Sequence, residues 1–84
     1  MKTIRIRYFA SIREALGKGS ETLQTSADSV GVLRDELIAR GGPYAEALAR
    51  GKAVRTAVNQ VMSSEHSALQ DGVELAFFPP VTGG

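Results

Sequence analysis

The sequence contains no cysteine, and this absence removes several kinds of chemistry at once. Disulfide bonds, thiolate metal sites and cysteine nucleophiles all need that side chain. Histidine occurs once, as His66, so a metal site built from several histidines is excluded as well. Two serines and a glutamate precede it, but a catalytic triad needs residues that converge in space. We interpret residues 63–66, with Met62 before them, as a polar loop.

Long apolar runs and a charge of one sign are also missing. The apolar runs span only a handful of residues, whereas a membrane-spanning helix needs roughly 20. The net charge is +1 and the positive residues are scattered, so no basic face predicts binding to nucleic acid or to an anionic membrane. Residues 1–5 alternate in character instead of forming the apolar block of a signal peptide. We therefore expect a cytoplasmic protein without nucleic-acid or membrane partners.

The patterns that are present predict one small α+β domain. Residues 3–9 alternate as a strand that buries Ile4, Ile6 and Tyr8 on one face. Ser29 is a favourable N-cap for the clearest amphipathic helix. Two further short helices and three further strands complete the order β-α-β-α-α-β-β. We expect a small mixed sheet with the helices packed on one face.

Two phenylalanines break the phase of the strands they end. If the apolar residues of the first strand face the core, Phe9 falls on the opposite side. If Phe77 is buried in the last strand, Phe78 falls on the opposite side too. Two interpretations fit this pattern. Either the strand ends bend, so that each ring packs under a loop, or the rings are exposed and mark a partner interface. We favour the interface, with Phe9 and Phe78 in one patch that Met62 joins.

The segment "FFPPVTGG" closes the sequence and has the properties of an acyl-carrying tail. Pro79 and Pro80 favour an extended polyproline conformation, and residues 79–84 can reach about 20 Å. Gly83 and Gly84 lack side chains, so they fit a channel that rejects a β-carbon. A terminal carboxylate is ionised at neutral pH and becomes an acyl donor only after activation, for instance as an anhydride with AMP. We expect a flexible, extended C-terminal tail with its chemistry at the terminal glycine.

Three motifs carry a resemblance to a known family: "RYFASIREALG" near the start, "AVNQ" at 57–60 and "DGVELAFFPPVTGG" at the close. Together with the chain length, they resemble the ubiquitin-like sulfur carriers that form the small subunit of molybdopterin synthase. The resemblance runs essentially from end to end. It implies a β-grasp fold and a single sulfur-carrier domain over residues 1–84, which agrees with the order of elements predicted above.

The resemblance also implies a mechanism and a set of partners. An E1-like adenylyltransferase uses ATP and magnesium to adenylate the terminal glycine, and sulfur from a persulfide-bearing donor protein then displaces AMP. The resulting thiocarboxylate enters the large subunit of the synthase, where sulfur passes to cyclic pyranopterin monophosphate. The chain itself is expected to bind no cofactor and no metal, and the catalytic residues are expected on the large subunit. The assembly implied is a heterotetramer of two small and two large subunits.

The resemblance assigns roles to particular positions in this sequence. Gly84 is the position that is adenylated and converted to the thiocarboxylate. The resemblance implies three groups of partner-binding residues. Phe9, Met62 and Phe78 form a contact patch, and Arg13 on the first helix makes polar contacts. The tail contributes Pro79, Pro80, Val81, Thr82 and Gly83.

Two other functions stay open at this point. A carrier with the same fold can deliver sulfur to another pathway, such as tRNA thiolation or the synthesis of cysteine or thiamine. A ubiquitin-like modifier can instead be attached to lysines, because an amine can attack the same acyl adenylate.

Overall fold

A computed structural model of the protein describes residues 1–80, so Val81, Thr82, Gly83 and Gly84 lie outside the described residues. Within residues 1–80, five strands and three helices occur in the order β-α-β-α-α-β-β-β. The strands are β1 (Lys2–Tyr8), β2 (Ser20–Thr25), β3 (Arg55–Val58), β4 (Val61–Ser63) and β5 (Glu74–Phe78). The helices are α1 (Ala10–Leu16), α2 (Val30–Ile38) and α3 (Gly42–Ala47).

The strands form one mixed sheet in the order β2-β1-β5-β3-β4. The central strands β1 and β5 are parallel, and the other neighbours are antiparallel. The helices cover one face, where Ile12 of α1 and Leu33 and Leu37 of α2 are buried in a core shared with the strands. None of the helices in the described part of the chain is long and apolar enough to cross a membrane. The predicted α+β architecture is confirmed.

The core follows the alternation of the two central strands. Ile4, Ile6 and Tyr8 of β1 are at most 1% exposed, and Leu75 and Phe77 of β5 are fully buried. The rings of Tyr8 and Phe77 stack with their centroids 6.1 Å apart. Full burial of one such apolar side chain stabilises a fold by about 1.5–3 kcal/mol. The strand phases predicted for the first and last strands are therefore confirmed.

Local signals place the helix ends. The Ser29 hydroxyl accepts a hydrogen bond from the Val32 N–H at 3.3 Å, which caps α2 as predicted. Helix α1 ends at Gly17, whose φ of 71° is the left-handed conformation that glycine adopts without a steric penalty. Pro43 lies in the first turn of α3, where its missing N–H leaves no helical hydrogen bond unmade.

The polar-loop interpretation of residues 62–66 is wrong at its start, because Met62 and Ser63 lie in β4. The antiparallel pairing of β3 with β4 leaves a two-residue turn, in which Asn59 and Gln60 have φ values of 50° and 69°. Turns with two positive φ angles match the twist of a hairpin, but their usual sequence signal is Asn-Gly. Because Gln60 stands in the position of the glycine, the sequence lacks the usual signal for this turn. The Asn59 side chain also accepts the Glu74 N–H at 2.9 Å, which joins the turn to the start of β5.

Candidate functional site

The helix-free face of the sheet carries both phenylalanines that break the strand phase. Phe9 follows β1 and is 39% exposed, and Phe78 ends β5 and is partly exposed. Because Tyr8 lies opposite Phe77 in the parallel pair, the next residues reach the same end of the sheet. The predicted grouping of the two rings is confirmed. They line one depression of about 450 Å³, the outer groove, with Arg7, Ala57, Gln60, Glu74 and Ala76.

The outer groove combines small residues with polar ones. Ala57 and Ala76 are cross-strand partners, and their short side chains leave space that larger residues would fill. Arg7 places its guanidinium carbon 5.1 Å from the centroid of the Phe9 ring. An exposed cation–π pair of this kind contributes about 0.5–1 kcal/mol and restrains the ring. The outer groove thus presents an apolar surface with charge at its edge, as protein interfaces do.

Met62 extends this apolar surface without lining the groove. It is 59% exposed and lies directly opposite Ala57, one strand further from the sheet centre. Since cross-strand partners project to the same face, Met62 shares the helix-free face with the groove. Its neighbour Val61 is 69% exposed at the same edge of the sheet, but it pairs with Val58 and so projects to the opposite face.

The first tail residues pack against the body of the protein. Pro79 and Pro80 are both partly buried. Pro79 lines a small cavity of about 130 Å³ together with Ile12 and Ala15 of α1 and with residues 52–54 before β3. The described part of the predicted tail therefore begins in a cavity between a helix and a loop, a contact that strand patterns do not reveal.

Arg13 lies apart from the outer groove. It is exposed on α1 and lines a polar depression with Glu14, Lys18 and neighbouring small residues. Its guanidinium passes close to the backbone of Gly19, where an added β-carbon would lie 3.2 Å from the Arg13 Nε. The Arg13 side chain therefore does not line the outer groove, although the Arg13 backbone N–H donates to the Phe9 carbonyl at 3.3 Å. Its polar role in partner binding stays a prediction.

Residues 6–84 match the ThiS family. The chain belongs to the ThiS family. It is 41% identical over 81 residues to the molybdopterin synthase sulfur carrier subunit of Escherichia coli K12, a match that covers 96% of this chain and 99% of that protein. The resemblance found in the motifs is confirmed.

Solved structures support the β-grasp fold of this ThiS-family protein. SAMP1 of Haloferax volcanii, a small archaeal modifier protein, is 25% identical, with a TM-score of 0.75 over 98% of this chain and 99% of that chain. A Helicobacter pylori structure of subunits 1 and 2 of molybdopterin-converting factor gives a chain 23% identical, with a TM-score of 0.67, covering 98% of this chain and 99% of that one. At that identity, the second likeness shows the fold alone.

A polar cluster beneath the sheet was missed by the sequence analysis of this ThiS-family protein. Glu21 of β2 accepts hydrogen bonds from the Tyr8 and Tyr44 hydroxyls, each at 2.7 Å, and pairs with Arg40 at 2.9 Å. Burial raises the pKa of Glu21, but the hydrogen bonds from Tyr44, Arg40 and Tyr8 outweigh it, so the net pKa lies below its ordinary value. Burial, and then the hydrogen bond to Glu21, raises the pKa of Tyr8. The cluster ties β1 and β2 to α3.

Two clusters of ionisable side chains lie outside the outer groove in residues 1–80. Residues 1–80 contain no group of three or more histidine, aspartate or glutamate side chains that could hold a metal ion. The ionisable clusters that are present, around Glu21 and around Arg34, hold elements of the fold together.

Proposed function

We propose that this protein carries sulfur as a thiocarboxylate on Gly84 and acts as the sulfur carrier subunit of molybdopterin synthase. The observation that carries the proposal is the 41% identity to the Escherichia coli sulfur carrier subunit along nearly the full length of both chains. Family membership from residue 6 to residue 84 includes the Gly-Gly segment in the match. The outer groove and the Pro79 cavity supply the surfaces that such a carrier needs.

The chemistry follows from the properties of a carboxylate. With Gly84 at the C-terminus, its carboxylate has a pKa near 3.5, is ionised at neutral pH and is a poor acyl electrophile. In adenylation by an E1-like partner, with ATP and magnesium, the carboxylate oxygen attacks the α-phosphate and pyrophosphate leaves, so that this oxygen links the acyl carbon to AMP, a good leaving group. The terminal sulfur of a donor persulfide then forms the C–S bond while the C–O bond to AMP breaks. A thiol that attacks the donor's own sulfur in the resulting acyl disulfide breaks the S–S bond, which releases the thiocarboxylate and leaves a disulfide on the donor. No cysteine is needed on this chain, because the sulfur is held by the acyl carbon.

Docking would use the outer groove together with the tail. The partly exposed rings of Phe9 and Phe78 supply the aromatic anchors that often dominate binding energy, and Met62 widens the apolar area. We propose that this surface binds the large subunit and the E1-like enzyme in turn, since both must receive the same tail. Two such heterodimers, joined through the large subunits, would form the synthase. Val81, Thr82 and Gly83 would lie in the partner's channel.

The tail hypothesis is tested by changing the terminus alone. Deletion of Gly84, or addition of one alanine after it, should abolish molybdopterin formation in a reconstituted assay while thermal unfolding stays unchanged. The addition of an alanine at the other end of the chain, after Met1, which is 89% exposed, serves as the control of equal length. If the extended protein still supports molybdopterin formation and is not trimmed, the chemistry does not take place at Gly84.

The main alternative is attachment of this protein to lysines. Its supporting observation is the likeness to SAMP1 at 25% identity, which is weaker than the 41% identity to a sulfur carrier subunit. Lysine conjugates in cells, without a thiocarboxylate form, would favour the modifier. A carrier for another sulfur pathway would be recognised by the large protein that co-purifies with it. Cytoplasmic location stays a prediction that cell fractionation tests.

A further inference from the structure

Arg34 is the one charged side chain that the fold buries in the part of the chain that the structure describes, with 3% exposure. Its Nε–H donates to the Leu48 carbonyl at 2.8 Å. Its Nη2 donates to the carbonyls of Ala49 at 2.7 Å and Lys52 at 3.3 Å. The Nη1 group pairs with Glu65 at 2.9 Å. Three of the four acceptors thus belong to the backbone of the segment that joins α3 to β3.

This arrangement is an unusual use of a core position. Burial of a guanidinium is unfavourable unless its N–H groups are paired, and apolar residues of similar volume often stabilise a core as well or better. Packing alone therefore does not explain an arginine at this position. Glu65 also pairs with Arg50, which pairs with Asp35 at 2.8 Å, so two guanidinium groups and two carboxylates balance in charge. The network fixes the segment of residues 48–54, which we call the brace loop.

The brace loop forms part of the cavity that receives the start of the tail. Residues 52–54 line one side of that cavity, and Ile12 and Ala15 of α1 line another. The register explains why the tail arrives there. Phe78 pairs with Arg55, the first residue of β3, and the two strands are antiparallel. The chain that leaves β5 at Pro79 therefore runs beside the residues that precede Arg55.

We propose that Arg34 is a positioning residue for sulfur transfer, acting through the brace loop to set the direction in which the tail leaves Pro79. This inference rests on the proposed function, because it concerns delivery of the Gly84 acyl group. The five residues beyond Pro79 can span about 17 Å, so a change of about 10° at the base of an extended tail displaces its end by roughly 3 Å. Misplacement of a reacting group by about 1 Å can slow a reaction by about a hundredfold. A tail that already leaves Pro79 in the direction of the partner's channel samples fewer conformations before Gly84 reaches the reacting site.

The test compares Arg34→Met with a core variant, Ile4→Ala, in the full chain loaded as a thiocarboxylate. Ile4 lies on β1, is fully buried and is not among the residues that line the Pro79 cavity. Single-turnover sulfur transfer is measured at saturating large subunit, and the Kd for the large subunit is measured separately. We expect Arg34→Met to lower the transfer rate constant by about ten- to a hundredfold. Its Kd should stay close to that of wild type, because the outer groove is unchanged.

Two further readouts separate positioning from general loss of stability. The methyl resonances of Ala15 and Ala53, which line the cavity, should shift in Arg34→Met and stay in place in Ile4→Ala. Arg34→Lys keeps the charge and part of the donor set, so it should restore part of the transfer rate. If Arg34→Met does not fold, Arg34→Lys is compared with wild type by the same rate and methyl measurements.

Failure of the Arg34 proposal and failure of the proposed function give different results. A transfer rate constant for Arg34→Met equal to that of Ile4→Ala, with unshifted methyl resonances, would overturn the role of Arg34 and leave the proposed function standing. If loaded wild-type protein transfers no sulfur, the proposed function fails. In that case the methyl resonances still decide whether Arg34 shapes the cavity around Pro79.

Discussion

Phe77 and Phe78 are consecutive in the chain but project to opposite faces of the sheet, and their alanine variants should separate folding from binding. Phe77 is fully buried and stacks on Tyr8, so Phe77→Ala should lower the free energy of unfolding by about 3–5 kcal/mol. Phe78 is partly exposed in the outer groove, so Phe78→Ala should lower it by only about 1 kcal/mol.

In binding to the large subunit, the two variants should rank in the opposite order, with Phe78→Ala showing the larger loss of affinity. A buried aromatic anchor of an interface contributes about 2 kcal/mol or more, which corresponds to roughly a 30-fold rise in Kd. We expect this rise for Phe78→Ala, measured by isothermal titration calorimetry with the large subunit, while urea unfolding gives the stability. Phe9→Ala should act in the same direction, because its ring lines the same groove. If Phe78→Ala lost as much stability as Phe77→Ala and bound with unchanged Kd, the outer groove would not be the docking surface.

Three further predictions concern the fold that holds this surface. The folded-state pKa of Glu21 lies below its ordinary value of 4.5, so its stabilisation is present above that pH and is lost as the pH falls through the folded-state pKa. Glu21→Gln should flatten the acid limb of a plot of unfolding free energy against pH, and an unchanged limb would contradict this role. Gln60→Gly should raise the free energy of unfolding by about 1 kcal/mol, because φ is 69° there; a loss would show that the turn is not strained. Ser29→Ala should lower it by about 1 kcal/mol through loss of the α2 cap, with Ser26→Ala, exposed in the preceding loop, as the neutral control.

Local patterns were sufficient for most of the fold and for part of the site. The strict alternation around Ile6 and the burial of Phe77 set the phase of the two central strands, and that phase placed Phe9 and Phe78 on the outer face. Such patterns work because a strand has a side-chain period of two. The sequence analysis did not predict β4, because Gln60 stands where a hairpin turn usually has glycine.

Contacts between distant parts of the chain could not be predicted in this way. Glu21 meets Tyr8 and Tyr44, which lie 13 and 23 residues away, and only the folded topology brings these groups together. The cavity around Pro79 joins α1 to the end of the last described strand. Arg34 lies four residues after Val30 and three before Leu37, so the helical period places it on the buried face of α2, but the sequence analysis did not single it out. Its carbonyl acceptors depend on the path of the segment after α3, which no local pattern specifies.

Sulfur transfer by this protein depends on a thiocarboxylate at the acyl carbon of Gly84. The most direct test is intact-mass spectrometry of this protein purified from its own cells, followed by fragmentation to locate any change. We predict a fraction whose mass matches replacement of one oxygen by one sulfur, with the difference confined to Gly84. That fraction should vanish when the E1-like partner is deleted. A chain extended beyond Gly84, or a sulfur adduct located at any other residue, would contradict the account.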